Sequence, residues 1–240
     1  MRLLILMAIL MLVHCRDKKA APRAEDEPVK VEVVTPPQLQ VDERHPPAKK
    51  ELLVSTPDFD TTQWEEVVRV SPSILLDLRY ATENNFVKEK MYDCPRCFLR
   101  PEVAKAVVAA HNSLQKQGYG LKMYDCYRPR PVQWKLWNKV PDARYVADPR
   151  KGSMHNRGMA VDLTIVDREG KELDMGTAYD YFGEEAYHNF PNHPEHVLEN
   201  RQLLLQTMEE HGLYPTPTEW WHYSYRAKTF PLDDWLWLCQ

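Results

Sequence analysis

The sequence predicts an α+β fold, in which a small antiparallel sheet is flanked by helices. Three observations predict it: two segments have the apolar spacing of amphipathic helices, several short segments resemble strands, and no internal repeat is present. Helices mixed with short, non-repeating strands favour an antiparallel sheet.

The individual elements follow from local patterns. A helix is predicted over residues 101–117, because Pro101 suits a first turn and Gly118 stops the apolar face that follows. A second helix is predicted over residues 197–211 and ends at Gly212. Strands are predicted over residues 121–124, 159–165 and 218–225.

Length, charge and composition exclude several classes of protein. The 240 residues are enough for one large domain, alone or with appendages. The 31 Lys and Arg against 35 Asp and Glu leave a formal charge of −4, too balanced for a nucleic-acid-binding surface. The long apolar run, Leu3–Val13, is shorter than the roughly 20 residues that span a bilayer as a helix, which excludes a polytopic membrane protein.

The N-terminus has the features of a secretory signal. Arg2 supplies a positive charge, Leu3–Val13 an apolar segment, and Cys15 is followed by charged residues. This resembles a bacterial lipoprotein signal, in which the cysteine becomes the lipidated first residue, although His14 departs from the usual Gly, Ala or Ser. We therefore expect residues 1–15 to be a signal peptide and the protein to be exported, periplasmic or membrane-anchored through a lipid on Cys15. The alternatives are an uncleaved anchor or a plain signal peptide.

The region after the signal is predicted to be a disordered tether. Residues 16–60 contain seven of the 19 prolines, no glycine and one aromatic residue, Phe59. Such a segment cannot bury enough apolar surface to offset the entropy lost on ordering. All seven tryptophans and all eight glycines lie at or beyond Trp64, so one folded domain is predicted over residues 61–240.

The densest polar cluster lies around the strand predicted over residues 159–165. His155 precedes this strand and Asp162 lies within it. An aspartate in an apolar strand is costly to bury unless a cation or hydrogen-bond donors compensate its charge. Gly158 allows the chain to turn, so that His155 can fold back towards Asp162.

A second cluster places Glu219 and His222 three residues apart among aromatic side chains. Two histidines and one aspartate make a three-ligand zinc site with a fourth position open for water, so His155, Asp162 and His222 are predicted to bind one Zn²⁺. Glu219 is then the spare carboxylate that accepts a proton from the water. Residues three apart in a regular strand point to opposite faces, so a bend between Glu219 and His222 is required.

Each of these residues also has a structural interpretation. A single buried histidine is more often a hydrogen-bonded core residue, and Asp162 alone could cap a turn or pair with Arg157. The combination of motifs favours the metal site. The other histidine cluster, His188, His193 and His196, has no buried strand beside it and is interpreted as loop and helix-start residues outside that site.

A third motif, Tyr127-Arg128-Pro129, follows the strand predicted over residues 121–124. A guanidinium at a strand end suits an oxyanion or a carboxylate, because it stays charged and donates hydrogen bonds in a fork. The alternative is a surface Arg128 that pairs with Asp125.

The cysteines beyond Cys15 predict disulfides. An exported domain with an even number of cysteines can form two bridges, here with three possible connectivities. Free thiols are the alternative, and a CxxC pair is present without the second pair that a four-cysteine zinc site needs. A bridge at Cys126 would stiffen the loop that carries Arg128. The four cysteines are Cys94, Cys97, Cys126 and Cys239.

Together these motifs resemble the D-alanyl-D-alanine dipeptidases, the VanX-type zinc peptidases. The resemblance is carried by SMHNRGMAVDLT over residues 153–164, by EWWHY over residues 219–223 and by Tyr127-Arg128-Pro129. It extends from about Ile74 to about Tyr225, nearly all of the predicted domain.

The resemblance implies a set of catalytic roles. His155, Asp162 and His222 would bind the zinc ion. Glu219 would assist the attack of a zinc-bound water as general base and then donate the proton to the leaving amine. Arg128 would stabilise the tetrahedral oxyanion.

The resemblance also implies a substrate pocket. In the family, the positions that match Tyr80 and Asp180 hold the free ammonium group of the dipeptide, and the position that matches Ser153 lies near the substrate. Tyr80 could otherwise be a core aromatic residue and Asp180 a helix N-cap. Met154 stands where some members carry a second serine, a departure in the region that recognises the carboxyl end of the dipeptide.

Three functions remain. The first is zinc-dependent hydrolysis of D-Ala-D-Ala or a related cell-wall dipeptide. The second is a D,D-carboxypeptidase or endopeptidase that acts on longer peptidoglycan peptides, which a closed ammonium pocket at Asp180 and Tyr80 would exclude. The third is a non-catalytic, zinc-stabilised wall-binding module, against which Glu219 and Arg128 argue because neither is needed to hold zinc.

Overall fold

Four α-helices and seven strands alternate irregularly within residues 56–239, the part of the chain that the computed structural model describes. The predicted signal peptide and nearly all of the predicted tether lie outside the described residues. The strands are β1 (Glu65–Glu66), β2 (Leu75–Leu76), β3 (Phe98–Leu99), β4 (Gly120–Asp125), β5 (Ala160–Val166), β6 (Leu213–Thr216) and β7 (Glu219–Tyr225). The helices are α1 (Val67–Val70), α2 (Pro101–Gln115), α3 (Arg130–Lys139) and α4 (Glu195–Glu210).

Five of the strands form one sheet with the order β2-β4-β5-β7-β6. Its β4-β5, β5-β7 and β6-β7 pairs are antiparallel, and β2 joins β4 in parallel at one edge. Strands β1 and β3 form a separate antiparallel pair. The predicted α+β class with a small, mainly antiparallel sheet is therefore confirmed, and the parallel edge pair is an addition to it.

Strand β5 lies at the centre of the sheet and is buried along its whole length. Its alternate residues Val161, Leu163 and Ile165 belong to the main apolar core, together with the buried residues of α2 and α4. Because side chains alternate along a strand, Asp162 and Thr164 point to the other face of the sheet. That face is where the polar residues collect.

The helix ends differ from their predicted positions by about two residues, the usual uncertainty of such boundaries. Helix α2 begins at Pro101 as predicted and ends at Gln115, and α4 begins at Glu195 rather than at Val197. Helix α3 was not predicted, because its ten residues show a short apolar face. No helix within the described residues is long and apolar enough to cross a membrane.

Two disulfides select one of the three possible connectivities. Cys94 bonds to Cys239, and Cys97 bonds to Cys126. The first bridge holds residues 226–239, here called the C-terminal strap, against the domain. In the strap, Trp235 stacks on Trp64, with ring centroids 5.2 Å apart.

Candidate active site

Three neighbouring strands each contribute one polar residue at the same level of the sheet. The pairing of β4 with β5 sets Asp125 opposite Asp162, and the pairing of β5 with β7 sets Asp162 opposite His222. Residues opposite each other on adjacent strands lie about 4.5–5.5 Å apart, within reach of a shared ligand. The register of the sheet therefore assembles this part of the site.

A tight turn brings His155 to the same place. His155–Arg157 form one turn of 3-10 helix, which ends at Gly158 with a φ of 68°. A Cβ atom at Gly158 would lie 2.5 Å from a ring carbon of Trp64, so the turn requires glycine both for its backbone conformation and for space. The turn therefore brings His155 back towards Asp162, and Nε2 of His155 lies 3.3 Å from Oδ1 of Asp162.

The donor atoms of His155, Asp162 and His222 form a small triangle. His155 Nε2 lies 3.2 Å from His222 Nδ1, and His222 Nδ1 lies 2.9 Å from Asp162 Oδ1. Ligands bound tetrahedrally to zinc at roughly 2.0–2.1 Å lie about 3.3 Å from one another. These three residues therefore fit one zinc ion, and they are the group within residues 56–239 whose donor atoms converge in this way.

Each member of the triangle is oriented by a partner behind it. His155 Nδ1 lies 2.7 Å from the carbonyl oxygen of Cys126, and His222 Nε2 lies 3.1 Å from Ser224 Oγ. When these nitrogens carry the protons, the facing nitrogens keep their lone pairs for a metal. Tyr179 donates to Asp162 Oδ2 at 2.9 Å, which leaves Oδ1 facing the triangle. Such outer hydrogen bonds are typical of metal-binding histidines and carboxylates.

The electrostatics of the triangle favour a bound positive charge. Burial opposes ionisation of Asp162, but the rings of His155 and His222 outweigh it and hold the pKa of Asp162 well below its usual value. Burial likewise disfavours a charged His155, but Asp162 outweighs it and raises the pKa of His155. A carboxylate held ionised in this way requires a cation, either a proton on a histidine or a metal ion.

Glu219 reaches the triangle because β7 is irregular. The pairing of β6 with β7 shifts register between Pro215 and Thr216, which leaves a bulge in β7 after Glu219. Glu219 Oε2 lies 3.9 Å from His222 Nδ1. Burial raises the pKa of Glu219 above its usual value, because it outweighs the opposing effect of the nearby His222. A carboxyl group beside a metal site, with its pKa shifted towards neutrality, suits a general base.

Arg128 is buried rather than on the surface. It does pair with Asp125, as the local sequence allowed: its Nε and Nη2 donate to Asp125 Oδ2 at 2.9 and 2.6 Å. Its Nη1 donates to Gln133 Oε1 at 3.1 Å, and the guanidinium lies 4.8 Å from the centre of the Tyr80 ring. These buried contacts therefore hold the guanidinium group of Arg128 in one orientation.

Asp125 links Arg128 to the triangle, and the sequence reading missed it as a site residue. One of its oxygens, Oδ2, binds Arg128 and lies 3.7 Å from His155 Nδ1. The other accepts a hydrogen bond from the Tyr92 hydroxyl at 2.8 Å. Its position in the sequence, three residues before Arg128 and at the end of a buried strand, could have identified it as a site residue.

Tyr80 and Asp180 meet as a pair. The Tyr80 hydroxyl donates to Asp180 Oδ2 at 3.0 Å. Burial, and then the charge of Asp162, raise the pKa of Asp180 well above its usual value. Asp180 has a φ of 59° and is no helix cap, since the next helical turn spans Glu184–Ala186. Backbone held in the left-handed region is common at functional sites.

The loop that carries Tyr179 and Asp180 is fixed by an arginine that the sequence reading also missed. Arg201, on α4, donates to the carbonyl oxygens of Met175, Glu185 and Tyr187 at 2.8–3.0 Å. Burial lowers the pKa of Arg201 to about 10. The cation thus satisfies three carbonyl groups of one loop, which limits the movement of that loop.

Ser153 lies beside the Arg128 segment and not within the triangle. Its hydroxyl and its backbone N–H both donate to Asn156 Oδ1, at 3.1 and 2.8 Å. The Asn156 side chain in turn donates to the carbonyl oxygen of Arg128 at 2.7 Å. Arg157, the alternative partner of Asp162, donates instead to the carbonyl oxygen of Phe230.

The histidines of the other cluster, His188, His193 and His196, have other partners. His193 Nε2 lies 2.7 Å from the carbonyl oxygen of Glu185, and His196 Nε2 lies 3.2 Å from Asp174 Oδ2. The ring of His188 packs edge-on to Tyr223. The structure therefore places all three in contacts with the loops and with β7.

Comparisons with known proteins agree on one family. A family model described as D-ala-D-ala dipeptidase, Peptidase M15, matches residues 60–235. The D-alanyl-D-alanine dipeptidase of Escherichia coli (strain K12) is 35% identical over 174 residues, which are 72% of this chain and 90% of that protein. The D-alanyl-D-alanine dipeptidase of Enterococcus faecium is 31% identical and covers 65% of this chain and 87% of its own length.

A variant of the vancomycin resistance D,D-pentapeptidase VanY in complex with Zn(II) matches with a TM-score of 0.38 and 15% identity. The match covers 54% of this chain and 73% of that one.

Proposed function

Since this chain belongs to the D-ala-D-ala dipeptidase family, Peptidase M15, and is thus a zinc metallopeptidase, we propose that it hydrolyses free D-Ala-D-Ala or a closely related cell-wall dipeptide. The observation that carries the proposal is the triangle of His155, Asp162 and His222 with Glu219 beside it. This arrangement combines three metal ligands with a separate carboxylate, as hydrolysis by a catalytic zinc site requires.

Zinc, when bound by the triangle, supplies a Lewis acid that polarises the scissile carbonyl group and makes a water molecule more acidic. Glu219 accepts the proton of the attacking water on a carboxylate oxygen and passes it to the nitrogen of the leaving residue. The raised pKa of Glu219 suits both steps, because the group must first accept the proton and then release it.

Arg128 supplies positive charge to the oxyanion. Asp125 and Gln133 hold its guanidinium in place before the reaction begins, so little reorganisation is needed when negative charge develops. Together these two partners accept hydrogen bonds from three of the five N–H groups of the guanidinium, which leaves two donors for the substrate. Arg128 therefore contributes more to the transition state than to the ground state.

Asp180 and Tyr80 support a dipeptidase over a carboxypeptidase. A buried carboxyl group is neutralised favourably by a cation, and the free ammonium group of a dipeptide is such a cation. A substrate with an acylated N-terminus lacks this charge and also adds bulk at the pair. The proposal therefore requires a free N-terminus on the substrate. Ser153, which Asn156 links to the carbonyl oxygen of Arg128, is assigned to the substrate site by the family resemblance.

The experiment compares amine release from D-Ala-D-Ala and from N-acetyl-D-Ala-D-Ala by the zinc-loaded protein. We expect cleavage of the free dipeptide alone. Glu219→Gln should lose at least about 100-fold in kcat with zinc content unchanged, since general base catalysis contributes 10²–10⁴-fold. Asp180→Asn should raise KM for the free dipeptide.

Other results would contradict the proposal in different ways. Equal cleavage of both compounds would support a D,D-carboxypeptidase or endopeptidase. Cleavage of neither, with one zinc ion bound per chain, would support the wall-binding module.

We also infer that the protein is exported and that Cys15 is its lipid attachment site. The two disulfides of the folded domain support export, because such bonds persist in oxidising compartments and are rare in the cytosol. A location outside the cytoplasm suits the turnover of cell-wall fragments.

A further inference from the structure

Arg201 is a buried cation whose hydrogen bonds all go to backbone carbonyl groups. The residue lies on α4, is 4% exposed and forms no ion pair with the residues that the structure describes. Burying a charge without a counter-ion is costly, and an apolar side chain of similar size would avoid that cost. Such a side chain would, however, leave three buried carbonyl oxygens without their donor. The contribution of Arg201 therefore lies in the backbone that it holds.

That backbone is the segment that carries Asp180. The Nε of Arg201 donates to the carbonyl oxygen of Met175, which precedes Asp180, at 2.8 Å. The Nη1 and Nη2 groups donate to the carbonyl oxygens of Tyr187 and Glu185, which follow it, at 3.0 and 2.8 Å. One guanidinium group thus fastens both ends of residues 175–187 to α4.

Asp180 needs this support because its backbone is strained. Its φ of 59° lies in the left-handed region, where the Cβ atom of an L-residue is crowded. A residue other than glycine keeps this conformation only where the surrounding structure enforces it. If the ends of the segment were released, the backbone could relax and carry the Asp180 carboxyl group away from the Tyr80 hydroxyl, which now donates to it at 3.0 Å.

Tyr179, the neighbour of Asp180, is held in a different way. Its ring packs against the rings of Tyr124 and Trp221, with centroids 4.9 and 5.5 Å apart. These contacts are made by the side chain with two strands of the sheet and do not depend on the ends of the segment. Loss of Arg201 is therefore expected to disturb Asp180 more than the proposed zinc site.

We propose that Arg201 is a positioning residue for the ammonium site: it holds Asp180 where the carboxyl group can bind the free N-terminus of the substrate. This inference rests on the proposed dipeptidase function and adds a residue that controls its selectivity. Because Arg201 bonds only to backbone, it acts through Asp180. Its effect is thus confined to ligands that carry the ammonium group.

The test measures two constants with zinc-loaded protein. One is KM for D-Ala-D-Ala, and the other is the inhibition constant of propionyl-D-alanine, in which a hydrogen atom replaces the ammonium group. Arg201→Lys keeps the charge but replaces the fork of donors with a single nitrogen. We expect Arg201→Lys to raise KM several-fold and Arg201→Met to raise it further. The inhibition constant and the zinc content should stay at their wild-type values.

Leu204→Ala is the matched control. Leu204 is a buried residue of the same helix, so its truncation weakens the packing of α4 but removes no hydrogen bond to residues 175–187. We expect its KM to equal that of the wild type, measured at a temperature at which thermal unfolding shows all variants to be folded. If Arg201→Met does not fold, Arg201→Lys decides the test.

A double variant shows whether Arg201 acts through Asp180. Asp180→Asn removes the charge that binds the ammonium group, so Arg201→Lys should change KM no further in that background. If the two substitutions instead multiplied each other's effect on KM in full, Arg201 would act independently of Asp180 and the inference would be wrong.

The remaining outcomes separate this inference from the proposed function. A wild-type KM in both Arg201 variants would overturn the inference and leave the dipeptidase intact. A parallel rise in KM and in the inhibition constant of propionyl-D-alanine would show a general disruption of the site and would overturn it as well. Failure of the wild-type protein to hydrolyse D-Ala-D-Ala would overturn the proposed function itself and the inference with it.

Discussion

At the scale of single residues, the site depends on hydrogen bonds behind the three side chains that we propose to bind zinc. The chemistry of His155, Asp162 and His222 is common to many histidines and aspartates. The carbonyl group of Cys126, the Ser224 hydroxyl and the Tyr179 hydroxyl bind the atoms of these side chains that point away from the metal position. These partners fix which nitrogen or oxygen faces the metal position, and so tune the affinity of the site.

Tyr179→Phe tests this view directly. Loss of the hydroxyl frees Asp162 Oδ2, and we expect the dissociation constant for zinc to rise roughly 10- to 100-fold. Competition with a chromophoric chelator measures it. Tyr124→Phe is the matched control, since Tyr124 packs against Tyr179 at 4.9 Å in the same aromatic cluster. Equal affinities for the two variants would show that the Tyr179 hydroxyl does not orient Asp162.

At the scale of elements, the site lies where irregular segments meet a regular sheet. Strands β4, β5 and β7 supply the alignment, while the turn at Gly158, the bulge after Glu219 and the loop held by Arg201 supply the remaining groups. The Cys97–Cys126 bridge ties the segment before β3 to the residue that follows β4. Because the carbonyl oxygen of Cys126 also accepts the hydrogen bond of His155, this bridge steadies one of the proposed zinc ligands.

The two disulfides are therefore expected to have different effects. The double variant Cys97→Ala, Cys126→Ala should weaken zinc binding several-fold. Cys94→Ala, Cys239→Ala should leave zinc affinity near that of the wild type and cost more stability. Its bridge spans 145 residues against 29, a difference of about 1.4 kcal/mol in the loop-entropy model. Zinc titration and thermal unfolding of both variants measure these effects, and identical zinc affinities would refute the role given to the first bridge.

At the scale of the whole molecule, the ends of the described chain are fastened together behind the site. The C-terminal strap contributes Trp235 to a cluster with Trp64, and Asp233 of the strap accepts a hydrogen bond from the buried Arg100 at 2.8 Å. The guanidinium of Arg100 also lies 3.9 Å from the Trp64 ring centroid. The strap thus supports the turn at Gly158, whose backbone packs on Trp64 and Arg100.

The inferred export of the protein also belongs to this scale. Cys15→Ser in the full chain should abolish incorporation of radiolabelled fatty acid and move the protein from the membrane to the soluble fraction of the cell envelope. Serine replaces the thiol that would carry the lipid and leaves the apolar segment Leu3–Val13 unchanged. Unaltered membrane association with no label in the wild type would indicate an uncleaved anchor instead.

Local patterns along the chain predicted the main elements well. Helices α2 and α4 and strands β4, β5 and β7 lie within about two residues of their predicted positions, because apolar periodicity and the stopping glycines are local properties. Helix α3 was missed, because its short apolar face carries little periodic signal. The parallel pairing of β2 was missed as well, since pairing depends on contacts between distant segments.

The sequence by itself determined the types of chemistry available: two histidines, two carboxylates and an arginine, placed beside strands or turns. Tertiary structure alone decided the register that aligns Asp162 with His222, the bulge that turns Glu219 towards them, and the pairing of Cys97 with Cys126. It also decided that Asp125 and Tyr179 stand behind the site. The reason is physical: spacing along a chain specifies faces and turns, whereas distances between separate segments depend on how the whole domain packs.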